Sequence, residues 1–398
     1  MDIEGYLADP RAELDRCAAQ GWYADAIDAT GAPMPIVLDH EHVRSVLKDR
    51  RLSTRSFVDD MLAAGIAPAT VAQLTPLFGR HGEEHRVHRG LLAAAFTPRR
   101  IERMRPVAAE VAARLTGEMA DAGEIVEFVA TFAEQLPAEV FAVLFGLPAQ
   151  DSAQLSQWST AIFPAFTGTL SETELAGVEH AGAGMRAWAA DLVADRRRAP
   201  TEDLVTKLID AEIDGERLDD DDIVALVTGF VFAGTETTKR QLTELVSVFA
   251  EEPASWDRVA ADPALIPNAI EEVLRLRGII PGLTRVAVEP FALDGMTVPT
   301  QARVVASIAT ANRDPAVFAQ PGRFDVAREN AGAQVTFGWG PHLCVGAGLA
   351  RLELQESLRA LSERFEAPVV ERAHVSAVPG AGLDGADSLH VRWRRRAG

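Results

Sequence analysis

Apolar and charged residues alternate with helical spacing along most of the chain. Alanine-rich segments carry charges three and four positions apart over residues 99–121, 175–198 and 348–364, a pattern that predicts helices. Strand-like runs are few and short, at 35–38, 284–288 and 303–308. No repeat or low-complexity linker divides the sequence. We therefore predict a mainly α-helical fold, formed by one large domain over 1–398 with a minor β-sheet region.

The longest predicted helix begins at the acidic run 218–223 and meets no proline until Pro253. Aspartates at its start can cap the first turn and complement the helix dipole. Its first half, IVALVTGFVFAG, is apolar on every side, which predicts burial in the centre of the protein. The segment 233–238, AGTETT, breaks this pattern because glycine and β-branched threonines favour helix weakly. Such a local conflict often marks a functional site.

Composition and charge narrow the classes of function. The chain has 398 residues and a formal charge of −19, which argues against nucleic-acid binding. Its two cysteines, Cys17 and Cys344, cannot form a disulfide framework and favour a reducing compartment. The N-terminus lacks the features of a signal peptide, and the longest apolar run, 223–235, is shorter than a membrane span of roughly 20 residues. We expect a cytoplasmic protein without a membrane segment.

Cys344 lies in a loop of unusual composition, FGWGPHLCVGAG at 337–348. Its glycines allow close approach of the backbone to a flat partner. The next residues predict a helix, so the thiol precedes a helix start, where N–H groups and the dipole favour a thiolate. The alternatives are a buried free cysteine in a turn, or a zinc site with His85, His88 and His342 that would lack a CxxC pair.

The spacing Phe337-Gly338-x-Gly340-x-His342-x-Cys344-x-Gly346 resembles the haem-binding loop of the cytochrome P450 family. In that family the cysteine is the thiolate ligand of the haem iron. The resemblance implies haem b as cofactor and Cys344 as the iron ligand, with Phe337, Gly338 and Gly346 beside them. It covers the chain from about His85 to His390 and is closest to the soluble bacterial type.

Glu272 and Arg275 are three residues apart and can pair on one face of a helix, as many surface pairs do. The family resemblance implies instead a buried structural network with an arginine of a later loop. Arg323, in the run Pro321-Gly-Arg-Phe324, matches that third member.

Within AGTETT, Glu236 and Thr237 match an acid–alcohol pair of the family, and Ala233 and Gly234 match small residues that leave room for dioxygen. A threonine hydroxyl with an acid behind it can relay protons, although a paired glutamate in a core helix is the alternative. Lys239 and Arg240 depart from the family pattern. They either lie outside the distal pocket or change how Glu236 is connected to solvent.

His85 and Arg89 are four residues apart on one helix face and suit a carboxylate ligand. The resemblance implies that they hold a haem propionate, and it assigns the same role to Arg285 and His342. Four such groups have no joint explanation unless an anionic ligand is bound.

The resemblance implies a monooxygenase that inserts one atom of O2 into a small lipophilic substrate by hydroxylation, epoxidation or O-demethylation, in secondary metabolism or catabolism. Electrons would come from a separate ferredoxin and an NAD(P)H-dependent ferredoxin reductase. A basic face for that ferredoxin is expected at Arg99, Arg100, Arg103 and Arg351. A peroxide-using haem-thiolate enzyme and a non-catalytic haem or ligand-binding protein remain the alternatives.

Position alone suggests the wall of the substrate pocket, although each of these apolar residues also suits a plain core. The candidates are Phe57, Met61, Leu62, Phe163, Phe166, Val227, Phe230, Val231, Ile280, Pro281, Gly282 and Leu283.

Overall fold

Helices form most of the chain. The computed structural model describes residues 9–28, 30–148, 151–166, 170–375 and 383–396. In chain order the α-helices are α1 Pro10–Ala18, α2 His40–Lys48, α3 Ser56–Ala63, α4 Pro68–Leu74, α5 Gly82–Ala95, α6 Pro98–Glu102, α7 Arg105–Ala122, α8 Gln135–Leu144, α9 Ser152–Ile162, α10 Glu172–Arg198, α11 Leu204–Asp210, α12 Asp220–Glu251, α13 Pro253–Ala261, α14 Ile266–Arg277, α15 Ile308–Ala311 and α16 Ala347–Arg364. A π-helical turn, Val129–Ala133, precedes α8, and a 3-10 turn, Phe163–Phe166, follows α9.

The strands are short and form three small sheets. They are β1 Tyr23–Ala24, β2 Ile36–Val37, β3 Leu52–Ser53, β4 Ile125–Glu127, β5 Gly282–Ala287, β6 Phe291–Leu293, β7 Met296–Val298, β8 Arg303–Ser307, β9 Val369–His374 and β10 Ser388–Arg392. The largest sheet has the order β1-β2-β8-β5-β3, with β2 and β8 parallel and the other pairs antiparallel. The other two sheets are β4-β10-β9 and the hairpin β6-β7.

The long helix α12 connects the two main hydrophobic cores. Residues 223–232 pack into a core with α8, α9 and α10, while residues 242–249 pack into a second core with α7, α14 and α16. Between these apolar halves lies the polar stretch 233–241, in which Ala233 is exposed and Thr237 half-buried. The helix therefore carries AGTETT at the boundary between two packed regions.

Two predicted elements differ in detail. The segment 99–121 forms two helices, α6 and α7, because Pro106 is placed in the first turn of α7, where its missing N–H is tolerated. AGTETT does not interrupt α12. Thr235 donates to the Val231 carbonyl at 2.6 Å and Thr237 donates to that of Ala233 at 2.5 Å, so both hydroxyls are satisfied within the helix.

Candidate active site

The loop that carries Cys344 turns back on itself just before α16. The Cys344 N–H donates to the Phe337 carbonyl at 2.9 Å, and Gly338 and Gly340 have φ angles of +76° and +75°. A Cβ atom at Gly340 would lie 2.9 Å from Cα of Lys48 in α2, so a side chain there would collide with that helix. The glycine backbone therefore allows α2 and the cysteine loop to pack together.

The Cys344 thiol is free and exposed, yet the protein atoms around it raise its pKa. This desolvation outweighs the hydrogen bonds from the Gly346 and Ala347 N–H groups and the positive charges of Arg89 and Arg351. The surroundings stabilise a thiolate only in part. The exposed sulfur, with two N–H groups and two arginines nearby, is open to a metal ion, whose charge would add to that stabilisation.

Two aromatic residues of the loop are each covered by an arginine. The Arg351 guanidinium lies 4.5 Å from the centre of the Phe337 ring, and that of Arg44 lies 3.8 Å from the centre of Trp339. Phe337 packs against the second core, whereas Trp339 is 37% exposed. Phe337 supports the loop from inside, and Trp339 belongs to its outer surface.

The four basic residues expected at one place do lie together. The rings of His85 in α5 and His342 in the loop are 3.9 Å apart between centroids. Arg89 donates to the Leu343 carbonyl at 2.5 Å. Arg285 in β5 is buried, its Nε has no hydrogen-bond partner, and it is close enough to lower the pKa of His342.

The electrostatics of this cluster favour an anionic ligand. Burial lowers the pKa of His85 to about 4, that of His342 to about 3 and that of Arg285 to about 10, and charge repulsion adds to both histidine shifts. No carboxylate of the described chain offsets these three shifts. His81, just before α5, adds to the repulsion and has a buried Nδ1 without a partner; no motif marks it in the sequence. Such donors fit a group with two carboxylates.

Glu272 and Arg275 form a fully buried ion pair on α14, with Arg275 Nε 2.7 Å from the carboxylate. The expectation that Arg323 completes this network is wrong. Arg328 donates to both Glu272 oxygens at 3.0 Å, while the exposed side chain of Arg323 reaches only Gln320. Arg323 contributes its backbone carbonyl, which accepts from Arg275 and Arg328. The irregular loop brings the later arginine, not the matched one, over the carboxylate.

On α12, Phe230, Ala233 and Thr237 share one helix face at spacings of three and four residues. Glu236 is 2% exposed and points to a narrow void that is also lined by Thr235 and Lys239 of its own helix and by Ser156, Ser159 and Thr160 of α9. Glu236 and Thr237 are thus adjacent in sequence but belong to different sides of α12.

Lys239 and Arg240 both bind Glu236. Lys239 Nζ lies 2.5 Å from one carboxylate oxygen, and Arg240 Nε lies 2.9 Å from the other. Both side chains are nearly buried. Both residues therefore lie beside Glu236 and form ion pairs with its carboxylate, and they do not lie on an outer surface away from the acid.

Glu353 of α16 is a buried acid that the sequence analysis missed. It is 1% exposed, it hydrogen-bonds to Thr238 of α12, and its Oε1 has no hydrogen-bond partner. Burial raises its pKa to about 8. A glutamate among the apolar positions of LARLELQESL was the available signal.

The expected pocket wall divides into three groups. Met61, Val227 and Val231 are buried in the first core, and the two valines lie off the face that carries Ala233 and Thr237, so their place in the pocket wall stays a prediction. Leu62 lies on the surface at 41% exposure. The rest are half-buried or pack beside the site: Phe57, Phe163, Phe166, Phe230, Ile280, Pro281, Gly282 and Leu283.

Aromatic contacts connect part of this third group. The rings of Phe57 and Phe166 are 4.8 Å apart between centroids, and Phe166 stacks on Phe232 at 4.0 Å. Leu283 approaches the cysteine loop, since a Cβ atom at Gly338 would lie 3.5 Å from its Cδ1.

The described residues bear on two remaining points, a zinc site and a membrane span. No group of three or more histidine, cysteine or acidic side chains there could hold a metal ion, so the four-ligand zinc site is not formed. Across those same residues, no helix is long and apolar enough to cross a membrane.

Comparison with known proteins identifies the family. The cytochrome P450 family model matches residues 243–377. The chain is 34% identical to the erythromycin C-12 hydroxylase of Saccharopolyspora erythraea, over 84% of this chain and 83% of that protein. It is 36% identical to the mycinamicin IV hydroxylase/epoxidase of Micromonospora griseorubida, over 83% and 81% of the two chains. The structure of the cytochrome P450 PksS of the Bacillus subtilis bacillaene polyketide synthase is similar, with a TM-score of 0.85, 26% identity and 97% of each chain covered.

The chain belongs to the cytochrome P450 family, whose cofactor is a haem iron. It is a monooxygenase of the oxidoreductase class, and the relatives' activities do not favour the peroxide-using or non-catalytic alternatives.

Proposed function

We propose that this monooxygenase binds haem b, with Cys344 as the iron ligand and His85, Arg89, Arg285 and His342 around the propionates. The observation that carries this proposal is the pairing of one exposed thiol with a cluster of basic side chains that lacks a carboxylate. When bound, the haem supplies the redox chemistry by which O2 is activated and one oxygen atom enters the substrate. Gly338 and Gly346 let the loop lie flat against the ring, and Phe337 supports it.

Thr237 and Glu236 are proposed to control proton delivery. Thr237 Oγ1 currently donates to the Ala233 carbonyl, and rotation of this hydroxyl would let it donate a proton on the exposed side of Ala233 instead, whereas Gly234 faces the Phe141 ring of α8. Glu236 is the adjacent acid, and the polar side chains of Ser156, Ser159 and Thr160 of α9 lie beside it. The chain's role is thus to place a hydroxyl at the site and an acid behind it.

The substrate is proposed to be a small lipophilic compound of secondary metabolism or catabolism. Phe57, Phe166 and Phe230 supply aromatic surface on one side, and the half-buried run 280–283 supplies aliphatic surface near the cysteine loop. Two relatives are named as hydroxylases of erythromycin and of mycinamicin IV. Hydroxylation, epoxidation and O-demethylation would all suit such a pocket.

The electron donors are proposed to be a ferredoxin and an NAD(P)H-dependent ferredoxin reductase, in the cytoplasm. Arg99 and Arg103 of the α6 region are exposed, and α6 packs on the start of α16, where a Cβ atom at Gly348 would lie 3.1 Å from Ile101. Arg100 and Arg351 are engaged elsewhere: Arg100 donates to the carbonyls that end α5, and Arg351 pairs with Glu271. The proposed docking face is therefore smaller than the four arginines expected.

The haem assignment is tested by the absorption spectrum of the reduced, carbon-monoxide-bound protein. We expect the strongly red-shifted Soret band of thiolate ligation, its loss in Cys344→Ala, and its retention in the matched control Cys17→Ala. A normal band in Cys344→Ala would contradict the assignment. So would a wild-type band without the red shift, whatever the protein's activity.

The docking face is tested by charge reversal. The double variant Arg99→Glu/Arg103→Glu should reduce the rate of electron transfer from an acidic plant-type ferredoxin about tenfold at low salt, with a weaker dependence on ionic strength. Arg198→Glu, at the exposed end of α10, is the control and should leave the rate unchanged. Equal rates in both variants would place the docking face elsewhere.

A further inference from the structure

Arg240 contacts three separate parts of the molecule with one buried guanidinium. Its Nε donates to Glu236 at 2.9 Å, its Nη1 donates to the Gly385 carbonyl at 3.1 Å, and its Nη2 donates to Asp387 at 2.7 Å. Its guanidinium carbon also lies 4.0 Å from the centre of the Phe163 ring. The side chain is only 4% exposed, so these contacts are made away from bulk water.

The contacted elements belong to different regions of the chain. Phe163 begins the 3-10 turn after α9 and is a proposed pocket residue. Gly385 and Asp387 lead into β10, and the Asp387 N–H donates to the His374 carbonyl at the end of β9. The backbone passes against the arginine itself, since a Cβ atom at Gly385 would lie 2.9 Å from Cβ of Arg240. Arg240 thus joins the turn at Phe163 and the segment 385–387 to the acid on α12.

Lys239 offers the natural contrast within the same helix. It pairs with the other oxygen of Glu236 at 2.5 Å. Lys239 also lines the void beside Ser156, Ser159 and Thr160 of α9, whereas Arg240 reaches Asp387, Gly385 and Phe163. The two cations therefore neutralise the same carboxylate and lead to different elements.

We propose that Arg240 is a positioning residue that makes proton delivery depend on the packing of the turn at Phe163 and of the segment 385–387. The inference rests on the proposed role of Glu236 and goes beyond it. A shift of either element would move the guanidinium, and because Arg240 binds a Glu236 oxygen directly, the carboxylate would move with it. Proton supply would then respond to how the substrate side of the molecule is closed.

The experiment measures how much hydrogen peroxide and how much water the holoenzyme forms from O2 for each reduced nicotinamide consumed. The substrate is left out, and a plant-type ferredoxin and its reductase supply the electrons. Two electrons and two protons convert O2 to hydrogen peroxide, whereas four of each convert it to two molecules of water. Impaired proton delivery therefore lowers the ratio of water to peroxide. The carbon-monoxide spectrum of every variant confirms that the haem site is intact.

Asp387→Asn should lower the ratio of water to peroxide about threefold, and Phe163→Leu should lower it in the same direction. In an Arg240→Met background, neither substitution should lower it further, because the connection has already been removed. In a Lys239→Met background, both effects should persist. Arg240→Lys, which retains the charge but not the planar fork, should restore only part of the ratio.

Additive effects of Asp387→Asn and Arg240→Met would overturn the inference, and so would an unchanged ratio in Asp387→Asn alone. Glu236→Gln separates this failure from that of the proposed function. If Glu236→Gln lowers the ratio while the Asp387 and Phe163 variants do not, only the role of Arg240 is wrong. If Glu236→Gln leaves the ratio unchanged, the proposed role of the acid fails as well.

Discussion

Two buried glutamates on different helices are each held by two cations. Glu272 on α14 is bound by Arg275 three residues later and by Arg328 from a distant loop. Glu236 on α12 is bound by Lys239 and Arg240, three and four residues later. Both carboxylates are at most 2% exposed. The local arrangement is the same because residues at these spacings share a helix face.

The difference lies in where the cations lead. Arg275 donates its remaining hydrogen bonds to the carbonyls of Asn312, Pro321 and Arg323, so the network around Glu272 ends on fixed backbone. Arg240 leads instead to Asp387, which is 28% exposed, and to an aromatic side chain near the pocket. The same spacing in the sequence thus produces two different networks. The network around Glu272 ends on backbone carbonyls, whereas the network around Glu236 reaches side chains near the proposed pocket.

The largest loss of stability is expected from breaking the network around Glu272. Arg275→Met would leave a buried carboxylate without one of its cations and would remove the arginine donor from the carbonyls of Asn312 and Pro321, at a cost of about 5 kcal/mol. We expect little folded, haem-binding protein, measured by soluble yield and by urea unfolding followed by circular dichroism. Arg277→Met, on the same helix but paired with partly exposed Glu244 and Glu251, is the control and should cost about 1 kcal/mol. Equal losses of unfolding free energy in Arg275→Met and Arg277→Met would contradict a special role for the network around Glu272.

A third buried glutamate shows what happens without any cation. Among the described residues the Glu353 carboxyl has Thr238 as its one hydrogen-bond partner, and its pKa of about 8 lies above the ordinary value of 4.5. The folded protein therefore binds a proton that the unfolded chain has lost, so stability falls as pH rises from about 4.5 to 8. Glu353→Gln removes this dependence. At pH 5 the variant should differ little, whereas at pH 8 it should be more stable by about 4 kcal/mol.

Urea unfolding of Glu353→Gln and the wild type at the two pH values measures this difference. Glu356→Gln is the control, since Glu356 on the same helix is paired with Arg105 and Arg359 and should lose stability when neutralised. Wild-type stability that did not change between pH 5 and pH 8 would show that Glu353 is not held as a neutral acid.

The sequence predicted the parts of this molecule that depend on local pattern. The mainly helical P450 fold is confirmed, and the helices at 172–198 and 347–364 lie within a few residues of the segments expected. The convergence of His85, Arg89, Arg285 and His342 followed from family motifs, and the structure brings them together.

Features that depend on tertiary contact were not predictable in the same way. The exposed strand β9 carries no alternating apolar pattern and is defined by pairing with β10. Burial of Lys239 and Arg240 also depends on partners far away in sequence, such as Asp387. In each case the deciding neighbour lies outside the local segment.

The choice between Arg323 and Arg328 is the last and smallest of these tests. Both belong to one irregular loop, and motif spacing pointed to Arg323. Arg328→Met would remove a side chain that binds both oxygens of Glu272 and should cost about 3 kcal/mol in urea unfolding. Arg323→Met keeps the backbone carbonyl that Arg275 and Arg328 use, and loses only an exposed contact to Gln320. Its stability should stay within about 0.5 kcal/mol of the wild type, as is usual for surface substitutions. If Arg323→Met lost more stability than Arg328→Met, Arg323 would be the third member of the network, as the motif predicted. The structure predicts the opposite order, because it places the Arg328 side chain, and not that of Arg323, against the buried carboxylate of Glu272.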